Sequence, residues 1–339
     1  MIIKAIAYPR AGLIGNPSDG YFCKTISFTF KNFSAEVILY ESPRLEILPN
    51  AKDRSIFTSV RELVDDVHLH GYYGGIRLLK ATVKRFFDYC CMNDIELHDK
   101  NFTLEYHSSI PHGVGLAGSS AIITACLRAL MAFYGVSIPK YTQANLILAA
   151  ELDELRISAG LQDRVVQVYQ GLVYMDFDKE LLTSRGYGNY ENLDPGFLPP
   201  LYIAYRENLA EDSGKIHDNT RDRFERGEPL VTSAMAYWAK LTSRLKTQLL
   251  KGQKDKVAAL LNSNFDRRRK ICKISSENLR MVDEARSVGV SAKFTGSGGA
   301  IVGTYKDSEM FRTLKSRLSK LKIKVIRPAI ALPNVNGIL

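Results

Sequence analysis

Pro111-His112-Gly113-Val114-Gly115-Leu116-Ala117-Gly118-Ser119-Ser120-Ala121 joins residues 102–110, whose side chains alternate apolar and polar, to residues 121–134, whose apolar side chains recur at helical spacing. A glycine-rich loop running from a strand into a helix N-terminus is an anion site. Glycine lets the backbone come close, the first helical N–H groups lack partners, and the helix dipole places partial positive charge there. Ser119 and Ser120 add hydroxyls that can cap the helix or reach a magnesium ion.

The spacing Gly113-x-Gly115-x-x-Gly118 also satisfies the dinucleotide fingerprint. That site wants an acidic residue about 20 positions further on for the ribose, and residues 121–150 contain no Asp or Glu. No G-x-x-x-x-G-K-[ST], H-R-D or D-F-G occurs, which argues against P-loop NTPases and protein kinases.

With 339 residues, 45% apolar and 24% charged, the chain reads as an ordinary globular protein large enough for two domains. Its five cysteines contain no C-x-x-C pair, so neither a disulfide framework nor a zinc knuckle is expected, and a reduced, cytoplasmic setting fits. The apolar run after Ser120 is broken by Arg128, and the first residues are too short a run for a signal peptide, so no membrane association is expected. The formal net charge of +10 favours anionic partners, among them nucleotides, sugar acids and nucleic acid. The sharpest basic run, Arg267-Arg268-Arg269-Lys270, lacks interleaved aromatics and reads as a solvated helix face.

Strands are expected at 3–8, 25–30, 35–40, 172–177, 201–205, 291–294 and 300–305, and helices at 76–89, 141–155, 161–169, 230–250, 255–273 and 276–288. Residues 9–20, rich in turn formers, read as a long functional loop. The mixed order predicts an α+β architecture, with a boundary near Pro195-Gly196 that divides the chain into domains 1–195 and 196–339.

The loop at 111–121 resembles the phosphate loop of the GHMP small-molecule kinases, and three further segments match that family in order. Pro9-Arg10-Ala-Gly-Leu-Ile-Gly15-Asn-Pro-Ser-Asp19 is similar to its first motif, P-G-R-x-N-L-I-G-E-H-x-D. Lys293-Phe-Thr295-Gly296-Ser297-Gly298-Gly299 is similar to its K-x-T-G-x-G-G loop. Glu151 and Asp163, twelve residues apart, keep the spacing of its magnesium-binding glutamate and its proposed catalytic base. Finer matches, at 71–77, 160–164, 212–215 and in Asn264-Phe-Asp266 before the arginine run, resemble the uronate-phosphorylating members over essentially the whole chain.

The resemblance implies a two-domain GHMP fold with the active site in the cleft between domains, and ATP-dependent phosphorylation of D-glucuronate at its anomeric hydroxyl. Gly113, Gly115, Leu116, Ala117, Gly118, Ser119 and Ser120 would cradle the triphosphate, and Ser120 with Glu151 would hold Mg2+, with Ser119 as the alternative ligand. Asp163 would be the base or positioning carboxylate, and Arg10 would steady the transferring phosphoryl group. Asp19, Asn16, Arg164, Gly296, Ser297 and Gly298 would contact the sugar, with Arg164, Arg77 and Lys215 the candidates for its carboxylate. Two departures stand out: Asn16-Pro17 replaces a Glu-His pair, and Arg164 follows Asp163 where Gln is usual. The alternatives are a kinase for another anionic sugar or a heptose, and a nucleic-acid-binding protein on a degenerate kinase fold.

Overall fold

The computed structural model describes residues 1–50, 53, 58–61, 74–206 and 220–333. Its α+β architecture contains three four-stranded sheets among these residues.

The first sheet joins Ile2–Ala7 (β1), Ala35–Glu41 (β4), Phe102–Ser108 (β6) and Glu46–Ile47 (β5), in the order β1-β4-β6-β5. Burial alternates along β1 and β4, the mark of a sheet with one covered face. Gly118–Tyr134 (α2) packs against β1 and β4, with Gly75–Met92 (α1) beside it. Because α2 is buried almost all round, its sequence reads apolar on every side rather than along one stripe.

The second sheet, β2-β3-β7-β8, comprises Arg10–Ile14, Lys24–Thr29, Leu172–Asp176 and Asn189–Leu193, all antiparallel. Here lies the main correction to the sequence reading, since residues 9–20 are not one long loop. Every residue of β2 is buried, so the strand lacks the period-two alternation by which a strand is recognised, and the glycines beside it suggested a turn. β3 packs against both Leu161–Tyr169 (α4) and Pro229–Leu250 (α7). Lys179–Arg185 (α5) and the edge strand β8 were also missed. No residue of α5 is fully buried, Leu182 alone packing partly against the main core, and its ends are capped, with Asp178 accepting from the Glu180 and Leu181 N–H groups and Gly186 closing it.

The third sheet, β10-β11-β9-β12, is built from Lys293–Phe294, Ala300–Thr304, Leu201–Arg206 and Ile323–Ile326. Ser276–Arg286 (α9) and Ser308–Ser319 (α10) contribute to a core around Tyr202, Phe265, Met281 and Leu314. All strands of this sheet lie beyond residue 196, and all strands of the other two lie before 195. The chain nevertheless returns: Ala331 donates to the Thr29 carbonyl and Lys31 to the Ala329 carbonyl.

The predicted helix at 141–155 is two pieces. Lys140–Ala149 (α3) runs into a π-helical turn, Ala150–Glu154. The wider turn faces Glu151 inward, where it has no exposed surface.

Candidate active site

β2 and α4 bring the central pair together. Arg10, on the buried β2, donates through Nε and Nη2 to the two oxygens of Asp163 at 2.5 and 2.8 Å. Asp163 stands in the first turn of α4. Burial by itself raises the Asp163 carboxyl, but Arg10, Arg164 and hydrogen bonds from Arg10 and Gln162 outweigh it and hold the group below the usual carboxylate range. An ionised carboxylate at a helix N-terminus can accept a proton or hold a hydroxyl in line. The same guanidinium also donates to the carbonyls of Gly115 at 2.7 Å and Thr295 at 3.1 Å. Arg10 thus ties the base, the glycine loop and the C-terminal loop to one side chain, and its hydrogen bonds are directed at protein groups.

Asp19 lies at the same N-terminal end of α4, where a Cβ on the capping Gly160 would fall 2.2 Å from Asp19 Oδ2. Burial and repulsion from Asp163 push the Asp19 carboxyl up to about 6, while Arg10 acts in the opposite sense. Two carboxylates with opposite shifts sit on one site, so that Asp19 changes its protonation near pH 6 while Asp163 stays ionised throughout that range.

Around Glu151 the structure departs from two expectations. Its carboxylate accepts from Ser119 Oγ at 2.7 Å and from Arg164 through Nε at 2.7 Å and through Nη2. Ser120, expected beside Glu151, instead points back to the Ala117 carbonyl at 3.3 Å and is fully buried, because its position on α2 faces the core. Ser119, the alternative, is the serine that the geometry pairs with Glu151. Arg164, expected on the sugar, is 4% exposed, and its guanidinium also meets the Gly160 carbonyl at 2.8 Å and Asp163 at 3.4 Å. It bridges the two acids and presents no free edge to a substrate.

The glycine loop is set by close approach. Gly115 has φ +70°, and a Cβ there would fall 2.8 Å from the Gly298 carbonyl and 3.2 Å from the Ser297 nitrogen. A Cβ on Gly296 would meet the Gly115 carbonyl at 2.7 Å and Arg10 Nη1 at 2.8 Å. The expected phosphate residues and Gly296, Ser297 and Gly298 are therefore brought together, one loop lying on the other. Ala117 takes left-handed backbone with φ 60° immediately before α2. Gln167, one turn after Asp163 on α4, holds that strained residue by donating to the carbonyls of Ala117 at 2.8 Å and Tyr8 at 3.2 Å.

Sequence reasoning missed the groups beneath these loops. Lys293 is buried and donates to Gly12 O, Asn16 Oδ1 and Phe294 O. Asn16, expected on the sugar, is 2% exposed and engaged with Lys293 and the Phe294 carbonyl, so it faces the protein. Arg268 corrects the reading of the basic run. Arg269 and Lys270 are exposed, whereas Arg268 is 6% exposed and donates to the carbonyls of Gly296 at 2.7 Å and Ser297 at 3.1 Å. The available signal was Phe265 and Arg268 at i, i+3 on Val257–Ile271 (α8), an inward face within a run of charge. Arg77 lies near the start of α1, half-buried. Lys215 lies outside the described residues.

Magnesium prefers hard oxygen ligands, a few from protein and the rest from phosphates and water. The Ser119 hydroxyl and Glu151 carboxylate fit that donor set. No group of three or more His, Cys, Asp or Glu suited to a metal occurs among the described residues.

The family model for the GHMP kinases N terminal domain matches residues 77–171. The crystal structure of Lactococcus lactis galactokinase complexed with galactose superposes with a TM-score of 0.78 at 14% identity, covering 99% of this chain and 95% of that one, and shares the fold. Probable glucuronokinase 2 of Arabidopsis thaliana is 49% identical over 87% of this chain and 82% of its own length. Glucuronokinase 1 of the same plant is 46% identical over 88% and 84%. The chain is a small-molecule kinase of the GHMP superfamily and belongs, within it, to the glucuronokinase family.

Proposed function

We propose that this protein transfers the γ-phosphoryl group of ATP to the anomeric hydroxyl of D-glucuronate, giving D-glucuronate 1-phosphate. Family membership supports the reaction, and the observation that carries the mechanism is the Asp163 carboxylate, held ionised by both arms of Arg10 beside the glycine loop. Nothing in the comparisons favours a heptose kinase or a nucleic-acid-binding protein, and the inward Arg268 removes one charge from the basic face on which the latter reading leaned.

The residues divide the work by position. Gly113, Gly115 and the N-terminus of α2 offer backbone N–H groups to the triphosphate, with Leu116 buried as the anchor of the loop. Asp163 accepts the anomeric proton or holds the hydroxyl for in-line attack, and Asp19 receives sugar hydroxyls. Arg10 fixes Asp163 and the two loops at once, so its contribution to the transferring group is positional as well as electrostatic. Ser119 and Glu151 would hold Mg2+, which when bound supplies neutralisation of charge on the phosphate oxygens. Arg164 keeps Glu151 and Asp163 oriented.

Residues 1–195 and 196–339 are read as the two domains of the fold, with the junction of the Gly115 and Gly296–Gly299 loops at the cleft between them. We propose a cytoplasmic location on the ground that all five cysteines are free thiols. In a coupled ADP-release assay over glucuronate, galacturonate, galactose and mevalonate, glucuronate is expected to be turned over fastest. Equal turnover of neutral sugars would sink the uronate assignment.

A further inference from the structure

Lys293 is 1% exposed, and its Nζ donates to the Gly12 carbonyl at 2.6 Å, Asn16 Oδ1 at 2.5 Å and the Phe294 carbonyl at 2.6 Å. All three acceptors are neutral. An ammonium has three N–H donors and uses each of them here, whereas a neutral amine would turn its lone pair onto an oxygen. Asn16 is fixed in the same sense, because its Nδ2 donates to the Phe294 carbonyl at 3.3 Å and so its oxygen faces the lysine. Burial, Arg268 and Arg10 all pull the Lys293 proton affinity well below its ordinary value, and the three acceptors oppose that loss.

Among the described residues no anion is paired with this charge. Arg10 is committed to Asp163, and Arg164 to Glu151. Arg268 donates to the carbonyls of Gly296 and Ser297 and lies 5.1 Å from the Phe294 ring centroid, with no carboxylate among its partners in the described residues. Setting Arg10, Arg164, Arg268 and Lys293 against Asp19, Glu151 and Asp163 leaves a positive excess even with Asp19 ionised. Gly12 and Asn16, which Lys293 holds, lie on the segment that runs from Arg10 to Asp19 along the site.

We propose that Asn16 is a specificity-determining residue: as an amide rather than a carboxylate it leaves the buried Lys293 ammonium uncompensated, and that charge favours an acceptor sugar bearing a carboxylate over its neutral counterpart. The inference rests on the uronate-kinase reading above and concerns the residues that set its charge preference. Lys293 acts through its field across a low-dielectric interior rather than by touching the sugar, so replacing it alters discrimination between acid and neutral ligands.

Dissociation constants for glucuronate and for glucose, which carries CH2OH in place of the carboxylate, would be measured by calorimetry for wild type, Asn16→Asp, Lys293→Met and Lys293→Arg. Asn16→Asp places an acid against the ammonium at nearly constant shape, and Lys293→Met removes the charge. Each is expected to lower the preference for glucuronate over glucose on the order of tenfold, while Lys293→Arg keeps it within about twofold. An unchanged ratio in the two neutralising variants, or loss of both sugars by the same factor, overturns the inference. Thermal unfolding of each variant reports folding, and should Asn16→Asp fail to fold, the contrast between Lys293→Met and Lys293→Arg decides alone. Wild-type protein that binds glucose as well as glucuronate would contradict the uronate reading itself, a result separate from anything the variants show.

Discussion

Arg10 and Asp163 form a buried, two-pronged ion pair, and the cost of breaking such a pair differs from the value of having it. Removing one partner leaves a charge without compensation, typically ~3–5 kcal/mol, although a well-packed apolar pair can be as stable. Arg10→Gln is therefore expected to destabilise the protein by about that amount in denaturant unfolding. Asp163→Asn leaves the Arg10 guanidinium without its counter-charge and carries a cost of the same kind, and the folded variant should have a kcat lower by roughly 10²- to 10⁴-fold, the usual contribution of a general base; near-normal turnover of the folded variant would remove that role. Asp19 makes a different prediction. Its folded value of about 6 stands above the ordinary 3.8, so the folded protein binds a proton that the unfolded chain has lost, and the ionised group costs stability as pH rises through that window. Asp19→Asn should raise the melting temperature at pH 7 yet abolish the rise in sugar kcat/KM through pH about 6. Asp163 carries the opposite sign: its stabilisation is present above the ordinary carboxylate value and is lost as pH falls through its lowered one. Both acids were legible in the sequence from their spacing and motif. Arg164 and Asn16 were found as residues but misread in direction, because sequence spacing does not say whether a polar side chain near a site faces the substrate or another buried group.

At the scale of elements, the site is a junction of two loops laid on one strand. β2 donates through Arg10 N to the Leu116 carbonyl at 3.2 Å and through Gly12 N to the Thr295 carbonyl at 2.8 Å, so the glycine loop and the C-terminal loop flank it. This leaves no room for a side chain at Gly115, whose added Cβ would fall 2.8 Å from the Gly298 carbonyl. Gly115→Ala is expected to raise the KM for ATP by about tenfold or more, since small displacements of positioning groups are costly, with only a modest shift in melting temperature. An unchanged ATP KM would show that the two loops do not jointly set the triphosphate site. The glycine loop, α1, α2, α4 and the strands β1, β4 and β6 of the first sheet could be read from period and punctuation, whereas the two-residue β5 is too short to show one. β2 could not, because a strand buried on both faces carries no alternation, and the π turn at 150–154 could not, because a one-residue widening leaves no compositional trace. The arginine run failed for a related reason: charge density suggested solvent, while a single position in the run faced the core.

Across the whole molecule, the halves before and after residue 196 share packing. α7 lies on β2 and β3, and the main apolar core extends from Ile3 to Val302. Trp238, the sole tryptophan, is fully buried on α7 and donates to the Asn264 carbonyl at 3.1 Å, beside the Asn264 contact to Gly15 N. Its fluorescence therefore reports the junction between halves, and its thermal transition should coincide with that of far-UV circular dichroism. An earlier fluorescence transition would mean that the halves separate before they unfold. The formal charge of +10 suits anionic reactants at this scale, but the local excess around Lys293 is what distinguishes acid from neutral sugar. The most direct test of the central claim is phosphorus and proton NMR of the product formed from ATP and glucuronate. An ester at the anomeric carbon, formed in step with ADP, is the predicted result; phosphate on another hydroxyl, or ADP release that does not depend on the sugar, would contradict it.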